Sequence, residues 1–163
     1  MPMTITLGGV DDPRVRALLA HHVTSARSES APGSCHALDL EGLKAPEITF
    51  WSAWDEGTLV GVGALKRLPD GDGEIKSMHT VSTWRRQGVG SAMLLRIIDA
   101  ARAMGMPRLS LETGAWDYFA PARALYRRHG FVECAPFADY RLDPNSIFMC
   151  RHLQTPDRAN NVT

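Results

Sequence analysis

Apolar and polar positions alternate first over Thr4–Leu7, the period-2 signature of a short strand. Asp11-Asp12-Pro13 then offers a capping carboxylate and a proline in the first helical turn. Val15, Leu18, Leu19, His22 and Val23 follow on one helical face. From 28 to 46 the pattern gives way to polar and small residues broken by Pro32-Gly33. A loop this long in a compact domain is often functional. Residues 47–54 and 58–68 read as two strands joined at Asp55-Glu56-Gly57. The turn Asp70-Gly71-Asp72-Gly73 leads into a third strand over 74–81, completing an antiparallel meander.

The period changes after Gly90. Val89, Met93, Ile97, Ala100 and Met104 form one stripe, with Leu94, Ile98 and Ala101 beside it and Arg96, Asp99 and Arg102 opposite. This predicts a helix over 91–104, ended by Gly105 with Pro107 beyond. Residues 109–113 read as a buried strand, so the strand–helix–strand unit should be a right-handed parallel crossover. A helix over 118–129 stops at Gly130. Strands over 131–135 and 147–151 follow, with 139–146 as the loop between them. Residues 154–163 are polar and are expected to fray. The pattern gives one α/β domain over 1–153, its sheet mixed but mostly antiparallel.

With 163 residues and 44% apolar composition, the chain can bury one substantial core. Its formal net charge is zero, which gives no bulk attraction to nucleic acid or an anionic membrane. No apolar run approaches spanning length, and the first residues lack a secretory pattern, with Asp11-Asp12 following soon after. Cys35, Cys134 and Cys150 are odd in number and lack metal spacing. They read as reduced thiols of a cytoplasmic protein. His21, His22 and His36 form no metal constellation, and no metal is expected.

The most informative stretch is Arg85-Arg86-Gln87-Gly88-Val89-Gly90, between a predicted strand and a strongly periodic helix. Backbone N–H groups at a helix start lack intrahelical partners, and glycine lets a phosphate approach them closely. A P-loop would need Lys then Ser or Thr after the last glycine; here Ser91-Ala92 follow. A dinucleotide fingerprint would need a third small residue where Met93 stands, although Glu112 falls near the distance of a ribose-binding acid. Coenzyme A is the remaining diphosphate ligand. The alternative is a glycine-rich helix start that binds nothing.

Arg85-x-x-Gly88-x-Gly90 after a strand resembles the acetyl-CoA motif of the GNAT superfamily of N-acetyltransferases. Leu125-Tyr126-Arg127-Arg128-His129-Gly130-Phe131 resembles the signature that closes the same fold. Further stretches, among them Gly73-Glu74-Ile75-Lys76-Ser77-Met78, Leu109-Ser110-Leu111-Glu112-Thr113-Gly114 and Pro136-Phe137-Ala138-Asp139-Tyr140, resemble its bacterial YsnE-like branch. The resemblance covers about 34–153. It implies a sheet splayed between strands 4 and 5, with acetyl-CoA as co-substrate. It implies acetyl transfer to a primary amine by direct attack in a ternary complex. A non-catalytic acyl-CoA-binding module is the second class.

By resemblance, the turn Arg85, Arg86, Gln87, Gly88, Val89, Gly90 and Ser91 holds the pyrophosphate. Met78, His79 and Thr80 line pantetheine and the thioester, where a backbone N–H acting on the oxyanion is typically worth about 3 kcal/mol. Tyr126 is the candidate acid, since a phenol carries its proton at neutral pH; packing is its other reading. Glu74 is the candidate base, against an ordinary glutamate after a hairpin turn, with His79 and Glu112 as rivals. Many GNAT enzymes have Asn where this chain has Phe119, which leaves acyl-chain preference open. The acceptor is expected opposite the cofactor, between loops 28–46 and 139–146. Ser34, His36, Tyr140 and Asn145 are candidate contacts, and Trp51 reads as core. A small-molecule amine is the expected acceptor, with a peptide N-terminus or a protein lysine as the alternative, and a homodimer is compatible with the fold.

Overall fold

The computed structural model describes residues 3–153; the expected polar tail at 154–163 lies outside them. Among the described residues, seven strands form one sheet in the order β1-β2-β3-β4-β5-β7-β6. They are β1 (Thr4–Leu7), β2 (Ile48–Asp55), β3 (Thr58–Arg67), β4 (Gly73–Thr80), β5 (Arg108–Gly114), β6 (Val132–Glu133) and β7 (Ser146–His152). It is flanked by α1 (Pro13–Ser28), α2 (Val89–Ala103) and α3 (Ala120–Arg128). Single 3-10 turns stand at Gly42–Lys44, Ser82–Trp84 and Asp117–Phe119.

The α1 helix starts as the sequence predicts, with Asp12 accepting from Arg14 N at 2.8 Å and Pro13 in the first turn. Its face of Val15 and Leu19 packs with Phe50, Val62 and Ala64 on one side of the sheet. On the other side α2 buries Val89, Met93, Leu94, Ile97, Ile98 and Ala101. Burial of such a side chain is worth roughly 1.5–3 kcal/mol. The close fit of α2 depends on Gly63 of β3, where an added Cβ would lie 2.7 Å from Met93 Cγ. Trp51 is core, at 2% exposure.

Two predicted elements change. The third helix begins at Ala120, because the chain first makes the turn Asp117–Phe119 and Pro121 then sits in the helical first turn. The strand expected over 131–135 shortens to two residues, since Phe131 is drawn into the core at 1% exposure and Pro136 follows soon after.

Two features of β4 create the site. It is the strand that pairs in parallel with β5, and the pairing consists of Gly73–Leu109 and Glu74–Ser110. Beyond Glu74 the two strands diverge. On its other edge the register with β3 slips between Val62–His79 and Ala64–Lys76, so Ser77 and Met78 face Gly63 together. This is a bulge, with Ser77 in the left-handed region at φ 56°. A non-glycine residue there is strained, and its buried Oγ has no hydrogen-bond partner.

Candidate active site

The turn before α2 makes the first wall. Arg86 at φ 64° and Gly88 at φ 85° are both left-handed, and successive turns of this kind aim backbone N–H groups into one concavity. Gly88 is the N-cap and supplies no side-chain cap, so the first amides of α2 face outward. A cleft of about 480 Å³ opens over them. Met78, His79, Thr80, Arg85 and Arg86 line it, as do Gly88, Val89, Gly90 and Ser91. Gln87 is not among its walls; its side-chain amide donates to Thr83 O at 3.3 Å. The Ser91 hydroxyl lies 3.1 Å from His129 Nε2. Helix α3 supplies the opposite wall through Pro121, Ala122 and Leu125.

At its inner end the cleft meets a smaller chamber of about 110 Å³ in the splay between β4 and β5. Glu74, Lys76 and Ser77 line it from β4, Glu112 and Thr113 from β5, and Ser34 and His36 from the long loop. Met78, Phe119 and Tyr126 line both cavities. Tyr126 is 7% exposed, with its ring 5.9 Å from that of Phe131 in an edge contact. Burial pushes its phenol pKa upward, and the charge of Glu112 adds to the shift, so the hydroxyl keeps its proton. Burial also raises the Glu112 pKa above the ordinary carboxylate value, while the Ser146 hydroxyl, His36 and Lys76 pull it back. That environment moves a carboxylate toward the range of a useful base.

Glu74 is held differently. Its Oε2 accepts from Tyr140 OH at 2.5 Å and from Lys76 Nζ at 3.1 Å. Lys76 also donates to Tyr140 OH at 3.0 Å and to His36 O at 3.2 Å, which uses its three protons. The side chains of Lys76 and Glu74 are 9% and 3% exposed. Burial and the neighbouring Glu74 push the Tyr140 phenol pKa far up. Sequence reasoning named Glu74, His36 and Tyr140 but missed Lys76. The available signal was the i, i+2 spacing, which puts Glu74 and Lys76 on one face of a strand.

Ser34 and Asn145 do a bridging job. Ser34 Oγ donates to Asp143 Oδ2 at 2.6 Å, and Asp143 Oδ1 accepts from Asn145 N at 2.8 Å. These bonds hold Asp143 below the usual carboxylate range and tie loop 28–46 to loop 139–146. Asn145 Oδ1 accepts from Trp116 Nε1 at 3.3 Å; neither Asn145 nor Tyr140 is a wall of the chamber, whereas Ser34 and His36 are. His79 faces α1, its Nδ1 3.0 Å from Nδ1 of His22. Burial lowers the His79 pKa to about 3 and that of His22 to about 4, so both rings are neutral at pH 7 and one must donate to the other. Sequence reading set His22 on the apolar face of α1 but did not connect it with His79.

This geometry can seat a diphosphate at a helix start and lay an extended chain along the unpaired edge of β4. It sets a phenol and a carboxylate at the far end. Residues 16–131 match the profile of the acetyltransferase (GNAT) family. The chain is 49% identical to the N-acetyltransferase YsnE of Bacillus subtilis over 151 residues, covering 93% of this chain and 100% of that one. It is 47% identical to the N-acetyltransferase YedL of Escherichia coli over 157 residues, covering 94% and 99%. Among solved structures, an acyl-CoA N-acyltransferase of Klebsiella pneumoniae superposes with a TM-score of 0.79 at 30% identity, covering 93% and 98%. The splayed sheet, the uncapped helix start and this full-length likeness together make the chain a member of the GNAT family of acetyltransferases, with acetyl-CoA as its co-substrate.

Proposed function

We propose that the protein moves the acetyl group of acetyl-CoA to the primary amine of a small molecule by direct attack in a ternary complex. One observation carries this reading: the cofactor cleft and the polar chamber meet at Met78, Phe119 and Tyr126, so donor and acceptor can reach one point from two sides. The pyrophosphate is assigned to the amides from Gly88 to Ser91, and pantetheine to the edge of β4 from Met78 to Thr80. The acceptor is assigned to the chamber. Its volume of about 110 Å³ is small, which suits a short amine better than a folded protein surface.

The ammonium gives its proton to a chamber carboxylate, and its nitrogen attacks the thioester carbonyl. The C–N bond forms and the C–S bond breaks; the thiolate takes the phenolic proton of Tyr126, and the second proton that the nitrogen sheds on becoming an amide restores the phenol. Glu112 is assigned the base role, because it is half-buried beside Tyr126 with a raised pKa. Glu74, bound by Tyr140 and Lys76, is assigned the anchoring of that wall. This revises the base role that the sequence suggested for Glu74. We place the enzyme in the cytoplasm, a setting that suits three free cysteines.

The test is CoA thiol release with a panel of small amines and lysine-bearing peptides, on wild type and Tyr126→Phe. Small amines should be turned over, and Tyr126→Phe should lower turnover by roughly 10²-fold with unchanged acetyl-CoA affinity. Turnover of peptides alone overturns the small-molecule reading. Wild-type turnover in Tyr126→Phe, with chemistry rate-limiting, returns Tyr126 to packing.

A further inference from the structure

Phe119 closes the turn Asp117–Phe119 and stands where the cofactor cleft passes into the chamber. Six residues line both cavities: His22, Ala26, Met78, Phe119, Ala122 and Tyr126. Two are alanines, which leave a passage, and Phe119 has the largest wholly apolar side chain of the six. Its seat is Gly114, the last residue of β5. A Cβ on Gly114 would lie 2.2 Å from Phe119 Cδ2 and 2.3 Å from Cε2, well inside any real contact. The ring therefore packs directly on the strand backbone, where no other residue would admit it.

The seat is also clamped. Arg123 Nη1 donates to Gly114 O at 2.7 Å and to Trp116 O at 3.0 Å, fixing the backbone between β5 and the turn. The Tyr118 ring stands edge-on to Phe119 with centroids 4.9 Å apart. On the far side of the passage lies a chamber of about 110 Å³ that must also hold the amine end of an acceptor.

We propose that Phe119, seated on Gly114, sets the length of the acyl group this enzyme transfers. The passage is assigned to the acetyl group. A longer acyl chain meets the ring. The bonds made and broken are the same for every acyl-CoA: C–N forms, C–S breaks, and the thiol leaves. Discrimination is therefore steric and is read in kcat/KM. It depends on acetyl-CoA as the donor and not on which small amine accepts.

The experiment compares acetyl-, propionyl-, butyryl- and hexanoyl-CoA on wild type, Phe119→Ala, Phe119→Leu and Gly114→Ala, with one fixed amine and CoA thiol release. One methylene in an apolar site is worth roughly 10–200-fold, so wild type should lose at least the lower figure per added carbon. Phe119→Ala should raise the butyryl-to-acetyl ratio of kcat/KM by roughly tenfold or more, with Phe119→Leu between the two. Gly114→Ala, which unseats the ring, should also change the ratio. Thermal unfolding shows whether each variant is folded. If the amine is not turned over, the butyryl-to-acetyl ratio of affinities is read by calorimetry instead, which separates failure of the acceptor assignment from failure of this one. An unchanged ratio in folded Phe119→Ala, or an equal fall for all four donors, overturns the proposal.

Discussion

Glu74→Gln separates an anchoring carboxylate from a catalytic one. Glu74 and Lys76 are a buried ion pair, 3% and 9% exposed, with Tyr140 bonded to both. Removing one partner of such a pair leaves an uncompensated buried charge and typically destabilises by 3–5 kcal/mol. The glutamine carbonyl can still accept from Tyr140 and Lys76, so the loss should sit near the low end, about 3 kcal/mol. For a chain of this size that lowers Tm by roughly 10 °C. Lys76→Met in the same background removes the orphaned charge and should return stability to within about 1–2 kcal/mol of wild type. Calorimetry measures the unfolding, and CoA release at several pH values measures the chemistry. If Glu74 anchors the wall, activity returns with stability in the double variant. A single variant as stable as wild type refutes the burial reasoning. A stable double variant that stays about 10²-fold slow at neutral pH and recovers at high pH makes Glu74 the base.

The strands, α2 and the glycine-rich turn were visible in the sequence because each rests on local periodicity or local chemistry. The stripe from Val89 through Ile97 and Ile98 points inward as predicted, while Met104 at its end is 38% exposed. The bulge of β4 was not visible. Nothing in Lys76-Ser77-Met78 announces a left-handed serine, and the strain at φ 56° is imposed by register with β3. The polar cluster was half visible. Glu74, His36 and Tyr140 were drawn from three separate stretches, but 66 residues separate Tyr140 from Glu74 and no local pattern joins them. The His22–His79 pair, 57 residues apart, is likewise a product of tertiary packing between α1 and β4. In the sequence Phe119 shows only as a departure from a motif. Its seat on Gly114 depends on the turn Asp117–Phe119, which the periodicity had merged into α3.

Gly90→Val should leave the fold intact and weaken acetyl-CoA binding. The new Cβ meets only Leu125 Cδ2 at 3.0 Å and Thr80 Oγ1 at 3.8 Å, but its methyls stand over the amides assigned to the pyrophosphate. Unchanged calorimetric affinity in the folded variant sinks that assignment. Glu112→Gln tests base and burial together. Burial raises the folded-state pKa of Glu112 above the ordinary value of 4.5. Between those two values the native state binds more protons than the unfolded chain, so this group's contribution to stability falls as pH rises through the window. Glutamine cannot ionise, so the Tm of the variant relative to wild type should climb from pH 4 to pH 8, by an amount that thermal melts at matched ionic strength will read. In the same pH series turnover should drop sharply near neutrality and recover where free amine becomes abundant. A flat Tm difference contradicts the buried charge. A climbing difference with wild-type turnover keeps the burial and takes the proton transfer away from Glu112.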